Sequence, residues 1–204
     1  MKEEEVVITV LTVQGLVQGV GFRPFIYRIA NEMGICGEVD NRNNGVCIRA
    51  VLPPGQRELF IQRIRREHPP VASIHRIIVS ERAEAKNPYT DFRITPSRSE
   101  SDEVTQVAPD IAVCPECLCD RKVQPHRLQY PFINCTHCGP RFSIIRDLPY
   151  DRSQTTMSAF PMCPDCRKEY TTVNDRRFHA EPVACNHCGP SYYTLYNKAM
   201  ITDY

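Results

Sequence analysis

Eight of the eleven cysteines in this 204-residue chain occur in four Cys-x-x-Cys pairs, and thiolates at this spacing are typical zinc ligands. Two pairs that come together complete a tetrahedral four-sulfur site with no open position for a water, so we expect a structural metal. The predicted ligands for two zinc ions are Cys114, Cys117, Cys135, Cys138, Cys163, Cys166, Cys185 and Cys188.

The cysteine pattern is an internal duplication. In the first half 17 residues separate the two pairs, in the second half 18 do, and equivalent cysteines are offset by 49 and then 50 positions. The simplest arrangement gives each half its own zinc, but an exchange of pairs between the halves would satisfy the coordination equally well. His137 and His187 lie inside their pairs and are expected to face outward.

Disulfide bonds are the alternative explanation for so many cysteines. The N-terminal sequence is acidic and then β-like, unlike a secretory signal, so we expect a cytoplasmic protein whose thiols stay reduced. Outside the pairs, Cys36 and Cys47 lie in apolar, strand-like segments and are interpreted as small core residues. Cys119 receives no role.

A second group of residues is suited to binding an anion. A glycine-rich segment stands between a β-branched run and a helical pattern, where loop N–H groups and a helix N-terminus can converge on a phosphate. Its arginine adds a planar fork that matches phosphate oxygens. A turn that only joins two elements is the alternative, since the Gly-Lys-Ser/Thr ending of a Walker A loop is missing. The predicted phosphate-binding residues are Val17, Gln18, Gly19, Val20, Gly21, Phe22 and Arg23.

The elements around this loop predict an α+β domain. The order β-α-β-β-α-β is that of a ferredoxin-like split βαβ sandwich, with both helices on one face of an antiparallel sheet. The predicted strands are 6–13, 35–41, 45–52, 74–79 and 92–94, and the predicted helices run from about Phe22 to Gly34 and from about Leu59 to the prolines at 69 and 70.

Composition divides the chain into four predicted parts. These are a ferredoxin-like domain at 1–95, a linker at 96–113, a tandem four-cysteine domain at 114–190 and the start of a further linker at 191–204. The net charge of +1 and the mixture of basic and acidic residues around the cysteines argue against a nucleic-acid partner. No apolar run approaches the roughly 18 residues of a membrane-spanning helix, so no membrane partner is expected.

The loop and the strand opposite it resemble the acylphosphatase family over roughly residues 5–95. Segment 15–23 reads Gly-x-Val-Gln-Gly-Val-Gly-Phe-Arg, and segment 37–46 contains Gly-x-Val-x-Asn followed by Asn-Gly-Val. In that family the loop arginine binds the phosphoryl group and the asparagine positions the hydrolytic water, which implies these catalytic roles for Arg23 and Asn41. By its position alone, Asn41 could instead be a hydrogen-bonding residue at the end of a hairpin. Asp40, where the family commonly has a basic residue, is expected to affect substrate choice more than chemistry.

Segments 130–145, 148–152 and 175–180 carry a second resemblance, to the HypF carbamoyltransferases, a family of maturation factors for nickel–iron hydrogenases. It extends over essentially the whole chain, with departures at Cys119 and at Glu181, where glutamine is usual. The resemblance implies use of carbamoyl phosphate and ATP to carbamoylate the C-terminal cysteine of a partner, HypE. The acylphosphatase-like part would release carbamate from carbamoyl phosphate.

The same resemblance places ATP use in domains that follow Tyr204 in this family, so we expect a fragment or a truncated product that only hydrolyses carbamoyl phosphate. Two other interpretations stay open. One is a standalone acylphosphatase with a structural zinc module, and the other is a non-enzymatic zinc interaction module.

Overall fold

A computed structural model describes residues 5–53, 55–98, 106–196 and 199–201 of the chain. Residues 99–105 of the predicted first linker, and residues 197–198 and 202–204 of the predicted second one, lie outside the described residues. The first domain consists of β1 (Val6–Leu16), α1 (Phe22–Glu32), β2 (Cys36–Arg42), β3 (Gly45–Val51), α2 (Gln56–Glu67), β4 (Ser73–Glu84) and β5 (Phe92–Ile94). The predicted ferredoxin-like α+β fold is confirmed.

The sheet has the strand order β4-β1-β3-β2-β5. The first four strands pair antiparallel, as expected, whereas the short edge strand β5 pairs parallel to β2 and makes the sheet mixed. One apolar core joins the sheet to both helices. Its fully buried members include Val13, Ile26, Ile29, Val39, Ile48, Phe60 and Ile64.

Strand β1 continues two residues into the glycine-rich segment that the sequence had assigned to a turn. Gly15 pairs with β4 at a shift of register, and a Cβ built there would lie 2.2 Å from the carbonyl oxygen of Ser73. Only glycine allows this approach, because its φ of +133° is rarely adopted by other residues. The loop therefore begins at Val17, directly at the edge of the sheet.

The cysteine-rich region contains two short helices, α3 (Pro115–Val123) and α4 (Pro164–Thr171), connected by loops and single 3₁₀ turns. Each helix follows the first cysteine of a pair and has proline in its first turn, where the missing N–H is not needed. A two-stranded antiparallel pair follows, β6 (Thr194–Tyr196) with β7 (Ala199–Ile201). No helix in the described ranges is long and apolar enough to cross a membrane.

Few aliphatic side chains are buried in this region, and the cysteines themselves form much of its two small cores. The first core adds Tyr130, Ile133 and Met157 to three buried cysteines, and the second adds Ala180 and Val183 to two. Cores of this size contribute too little apolar burial to hold a fold of this length by themselves. The region therefore depends on cross-links between its polar groups and on its sulfur clusters.

The two repeats are cross-linked by a reciprocal pair of arginines. Arg127 Nε donates to the carbonyl of Ala184 at 3.0 Å, and Arg177 Nε donates to the carbonyl of Asn134 at 3.2 Å. Donors and acceptors are each 50 positions apart, so the same contact is made twice about an approximate two-fold axis. Each repeat completes its packing with a side chain of the other.

Carboxylates on the two short helices neutralise these arginines in the same reciprocal way. Glu169 on α4 pairs with Arg127, and Asp120 on α3 pairs with Arg177 at 2.5 Å. Arg127 is fully buried and Arg177 is nearly so. Because an unpaired buried charge is strongly unfavourable, each ion pair ties the helix of one repeat to a loop of the other.

The reciprocal contact gives a stability prediction. Replacing Arg127 by methionine (Arg127→Met) removes the closest cation of the Glu169 carboxylate and the donor to the Ala184 carbonyl. The free energy of unfolding should therefore fall by about 3–5 kcal/mol. Urea unfolding of the metal-loaded chain measures it. Arg121→Met, at an exposed position on α3, is the matched control and should change stability by no more than about 0.5 kcal/mol. Equal effects in the two variants would contradict the cross-link.

Candidate functional site

The loop at 17–23 directs its apolar side chains into the core of the first domain. The side chains of Val17, Val20 and Phe22 are each 1% exposed and belong to the apolar core. Gly19 and Gly21 have φ angles of +70° and +75°, in the left-handed region. With these two left-handed residues the main chain turns before it enters α1.

Within the described structure, none of the N–H groups from Gln18 to Phe22 donates to a backbone carbonyl; the N–H of Val17 donates to Gly15. Successive amides without backbone partners, next to the N-terminus of a helix, form a site that attracts an anion. Phosphate binding by this loop remains a prediction.

Asn41 lies at the end of β2 beside this loop, and both contact one residue of the cysteine-rich region. The Nδ2 of Asn41 donates to the carbonyl of Tyr150 at 3.0 Å, and the N–H of Tyr150 donates to Oε1 of Gln18 at 2.8 Å. The Nε2 of Gln18 donates to the carbonyls of Arg42 and Gly45, which joins the loop to the β2–β3 turn. The peptide groups on both sides of Tyr150 are thus held by the two predicted site elements.

Arg23, in the first turn of α1, contacts Asp151, the residue that follows Tyr150. Its Nη2 lies 2.9 Å from Oδ1 of Asp151 and donates to Oε1 of Glu181 at 2.8 Å, while Nη1 is 3.5 Å from the hydroxyl of Ser97. Since Arg23 and Asn41 contact consecutive residues, 151 and 150, the structure brings the two predicted catalytic side chains together. It also adds two carboxylates that the sequence had not assigned to the site.

The cysteine-rich region packs closely against Gly19 and Gly21 of the loop. A Cβ at Gly19 would lie 2.6 Å from Pro140 and 2.8 Å from the ring of Tyr150, and one at Gly21 would lie 3.1 Å from Thr136. Both glycines therefore serve two purposes, positive φ angles and room for the second domain. A side chain at Gly19 would separate the two domains at the loop.

In the group formed by Arg23, Asp151 and Glu181, burial and the neighbouring charges shift the pKa values of Arg23 and Glu181 in opposite directions. Burial by itself would lower the pKa of the Arg23 guanidinium, but the carboxylates of Glu181 and Asp151 raise that pKa on balance. The pKa of Glu181 is raised by burial, with Arg23 opposing the shift. Burial and the nearby Arg23 lower the pKa of His179 to about 4, so this imidazole is neutral at pH 7.

A cavity of 330 Å³ opens beside Arg23, between the end of β5 and the cysteine-rich region. Its walls combine the guanidinium with both carboxylates and with two polar rings. The lining residues are Arg23, Ile94, Thr95, Pro96, Asp151, Arg152, Ser153, Tyr170, His179 and Glu181.

Asp40 stands where the acylphosphatase family commonly has a basic residue. It lies on the opposite face of the sheet from Asn41, because the side chains of adjacent strand residues point to opposite faces. It is fully buried and paired with Arg42 at 2.9 Å and Arg49 at 2.7 Å. Its charge is therefore compensated away from the loop.

The eight paired cysteines form two clusters, each from a single repeat, and the alternative exchange of pairs does not occur. The first cluster joins Cys114, Cys117, Cys135 and Cys138, and the second joins Cys163, Cys166, Cys185 and Cys188. Neighbouring sulfurs are 3.6–3.8 Å apart, too far for a disulfide and close to the edge of about 3.8 Å expected for a tetrahedron with metal–sulfur bonds of about 2.3 Å. The donor set and spacing fit zinc.

The side chains around the clusters agree with this interpretation. His137 and His187 are exposed and stand outside the clusters, as expected. Cys47 is buried and Cys36 half-buried, whereas Cys119 is exposed and belongs to neither cluster.

Arginines of the opposite repeat donate to the sulfurs. Arg176 Nη1 is 3.3 Å from Cys117 Sγ in the first cluster, and Arg127 Nη2 is 3.2 Å from Cys166 Sγ in the second. A zinc ion with four thiolates carries a net charge of about −2, which such donors stabilise. The cross-links between the repeats thus also compensate the charge of the clusters.

The sequence analysis missed Tyr150, Asp151 and Glu181 as neighbours of the loop. The signal was present only indirectly: Tyr150 and Asp151 belong to a quoted family segment, and Glu181 was noted as a departure from it. Neither observation indicated contact with Arg23, which lies 128 and 158 positions earlier than Asp151 and Glu181.

Two family models match separate parts of the chain. The acylphosphatase family model matches residues 9–94, and the model described as the HypF finger matches residues 113–145 and 162–195. The acylphosphatase of Enterococcus faecalis is 36% identical over 72 residues, which are 35% of this chain and 79% of that protein.

Longer relatives match both regions together. The carbamoyltransferase HypF of Rhodobacter capsulatus is 46% identical over 180 residues, covering 88% of this chain and 24% of that protein. The crystal structure of full-length HypF in the phosphate- and nucleotide-bound form superposes with a TM-score of 0.84 at 42% identity, over 97% of this chain and 26% of that one. The chain thus spans about a quarter of the length of these relatives. Residues 9–94 belong to the acylphosphatase family, and the chain as a whole is homologous to a part of the HypF proteins.

Proposed function

We propose that this chain contains the part of a HypF carbamoyltransferase that hydrolyses carbamoyl phosphate to carbamate and phosphate. The observation that supports this most directly is that the loop, Asn41 and Arg23 lie against two consecutive residues, since Gln18 and Asn41 contact Tyr150 and Arg23 contacts Asp151. The acylphosphatase match over the same residues and the phosphate in the solved HypF relative agree with it.

In the proposed reaction the phosphoryl group of the substrate binds to the N–H groups of residues 18–22 and to the guanidinium of Arg23. Water attacks the phosphorus, the bond between phosphorus and the bridging oxygen breaks, and carbamate leaves with that oxygen. One proton of the water remains on the phosphate and the other also passes to it, so the products are carbamate and dihydrogen phosphate. Such transfers depend mainly on positioning and on charge neutralisation, which the loop and Arg23 supply.

The amide of Asn41 is oriented for holding the attacking water. Its Nδ2 is bound to the carbonyl of Tyr150, whereas its Oδ1 is buried and has no hydrogen-bond partner among the described residues. An unsatisfied buried acceptor is unfavourable unless a ligand or water fills the place. The carbonyl of Tyr150 therefore fixes which end of the amide faces the water, and Oδ1 accepts a hydrogen bond from it.

We assign a structural role to the two cysteine clusters, each holding one zinc ion through its four thiolates. Zinc supplies no step of the hydrolysis in this proposal, because four sulfur ligands leave no open position for a substrate. The eight reduced thiols fit a reducing compartment such as the cytoplasm.

The carbamoyl transfer itself is proposed for a longer protein. There the carbamate would be activated with ATP by further domains and passed to the C-terminal cysteine of HypE. The present chain by itself is expected to release phosphate from carbamoyl phosphate and to transfer nothing.

Substitution of the two catalytic residues tests the proposal. Arg23→Ala and Arg23→Lys should both lower kcat/KM for carbamoyl phosphate by about 100-fold or more, since neither offers the planar fork. Arg23→Lys keeps a charge for the neighbouring carboxylates and is the variant more certain to fold. Asn41→Ala should lower chiefly kcat, by about 100-fold, because water is no longer oriented. Phosphate release measures all three.

Arg28→Ala, on the exposed side of the same helix, is the control and should remain near wild-type activity. Unchanged turnover in the Arg23 and Asn41 variants would refute the catalytic assignment. Comparable turnover of acetyl, benzoyl and carbamoyl phosphates would favour a general acylphosphatase, and absence of phosphate release with tight binding of another protein would favour an interaction module.

Metal content tests the role of the clusters. The chain should contain about two zinc ions, and Cys117→Ser should lower this number and the unfolding temperature, because metal binding is coupled to folding. Cys119→Ser, two positions away on the same helix and outside the cluster, should change neither. Elemental analysis and thermal unfolding provide the measurements; a chain that folds equally well after strong chelation would contradict the assignment.

A further inference from the structure

We propose that Glu181, assisted by Asp151, is a positioning residue for the hydrolysis: it holds the guanidinium of Arg23 at the phosphate loop from the zinc region. This inference rests on the proposed function of the loop and adds to it a contribution of the second domain to the catalytic arrangement.

The geometry of Arg23 supports this role. Both carboxylates contact the same atom, Nη2, at 2.8 and 2.9 Å. In the described part of the chain, Nε has no partner and Nη1 reaches only the hydroxyl of Ser97 at 3.5 Å. One nitrogen is thus anchored, and the N–H groups on the other two remain for an anion. An arginine side chain has several rotatable bonds, so anchoring one end of its fork reduces the freedom that anion binding would otherwise remove.

Glu181 is itself held firmly enough to serve as an anchor. Its side chain is 2% exposed, and its Oε2 accepts from the N–H of Arg152 at 3.0 Å and from the hydroxyl of Tyr170 at 3.1 Å. The Arg152 guanidinium also donates to the carbonyl of Glu181 at 2.7 Å. One carboxylate oxygen is therefore fixed by the zinc region and the other is directed at Arg23.

The contact is also placed where the two domains meet. Arg152 donates further to the carbonyls of Phe160 and Val183, which come shortly before the first and the second cysteine pair of the second cluster. Displacement of that region would move Glu181, and with it the guanidinium of Arg23. The zinc modules thereby influence the hydrolysis without a metal ion in the reaction.

Two substitutions at one position separate positioning from folding. Glu181→Ala removes the anchor and should lower kcat/KM for carbamoyl phosphate about tenfold, and weaken competitive inhibition by inorganic phosphate by a similar factor. Glu181→Gln keeps an acceptor for Nη2 and should stay within about threefold of wild type in both. Zinc content and unfolding temperature are measured on the same samples. Glu38→Ala removes a half-buried carboxylate paired with Arg49 on the other face of the sheet, and should leave both values within about twofold.

A double-mutant cycle adds a readout that a merely structural role would not move. If Glu181 acts through the Arg23 fork, adding Glu181→Ala to Arg23→Lys should change phosphate binding by less than about twofold, since effects on a shared element are not additive. Phosphate binding, followed by ³¹P NMR, does not require turnover. Full additivity in the cycle, or a Glu181→Ala variant as active as wild type while Arg23→Lys is impaired, would overturn the positioning role. A wild-type chain that binds phosphate but does not hydrolyse carbamoyl phosphate would instead refute only the proposed function.

Discussion

The buried positive charge of Arg23 is the constraint on which the arrangement of this protein depends. A guanidinium that is 7% exposed and has no compensating partner would be too unfavourable to persist in a folded chain. Among the described side chains outside the cysteine-rich region, Arg23 reaches only the hydroxyl of Ser97, at 3.5 Å, so the compensating carboxylates of Glu181 and Asp151 come from the cysteine-rich region. The same interaction that makes the charge tolerable therefore fixes the position of the second domain.

The approach of the second domain is possible because the loop is made of glycine where the domains touch. Gly19 accommodates both Pro140 and the ring of Tyr150, at distances that no side chain would allow. The positive φ angle of the loop and the close packing of the two domains thus fall on the same residue. A substitution of Gly19 would therefore alter the loop conformation and the domain interface together.

The cysteine-rich region folds although it buries few aliphatic residues. Its repeats exchange arginines, carbonyl contacts and carboxylate partners about an approximate two-fold axis. Both exchanged arginines, Arg127 and Arg177, also donate to the sulfur clusters, and Arg176 adds a further donor. The result is one unit rather than two independent modules. A rigid unit of this kind can hold the Tyr150–Glu181 side of the interface against the loop, which a pair of loosely joined fingers could not.

The sequence by itself determined the order of strands and helices in the first domain, the position of the glycine-rich loop, and which eight cysteines form the clusters. These features depend on local propensity and on short spacing, such as the apolar periods and the Cys-x-x-Cys pairs. The end of β1 was missed by three residues, because the pairing of Gly15 depends on Ser73, far away in the chain. Which cysteine pairs share a cluster was left open for the same reason: both choices satisfy four sulfurs, and only the packing of the repeats distinguishes them. The tertiary structure alone decided that Arg23 meets Glu181 and Asp151, since electrostatic pairing across more than 100 positions leaves no periodic trace in a single sequence.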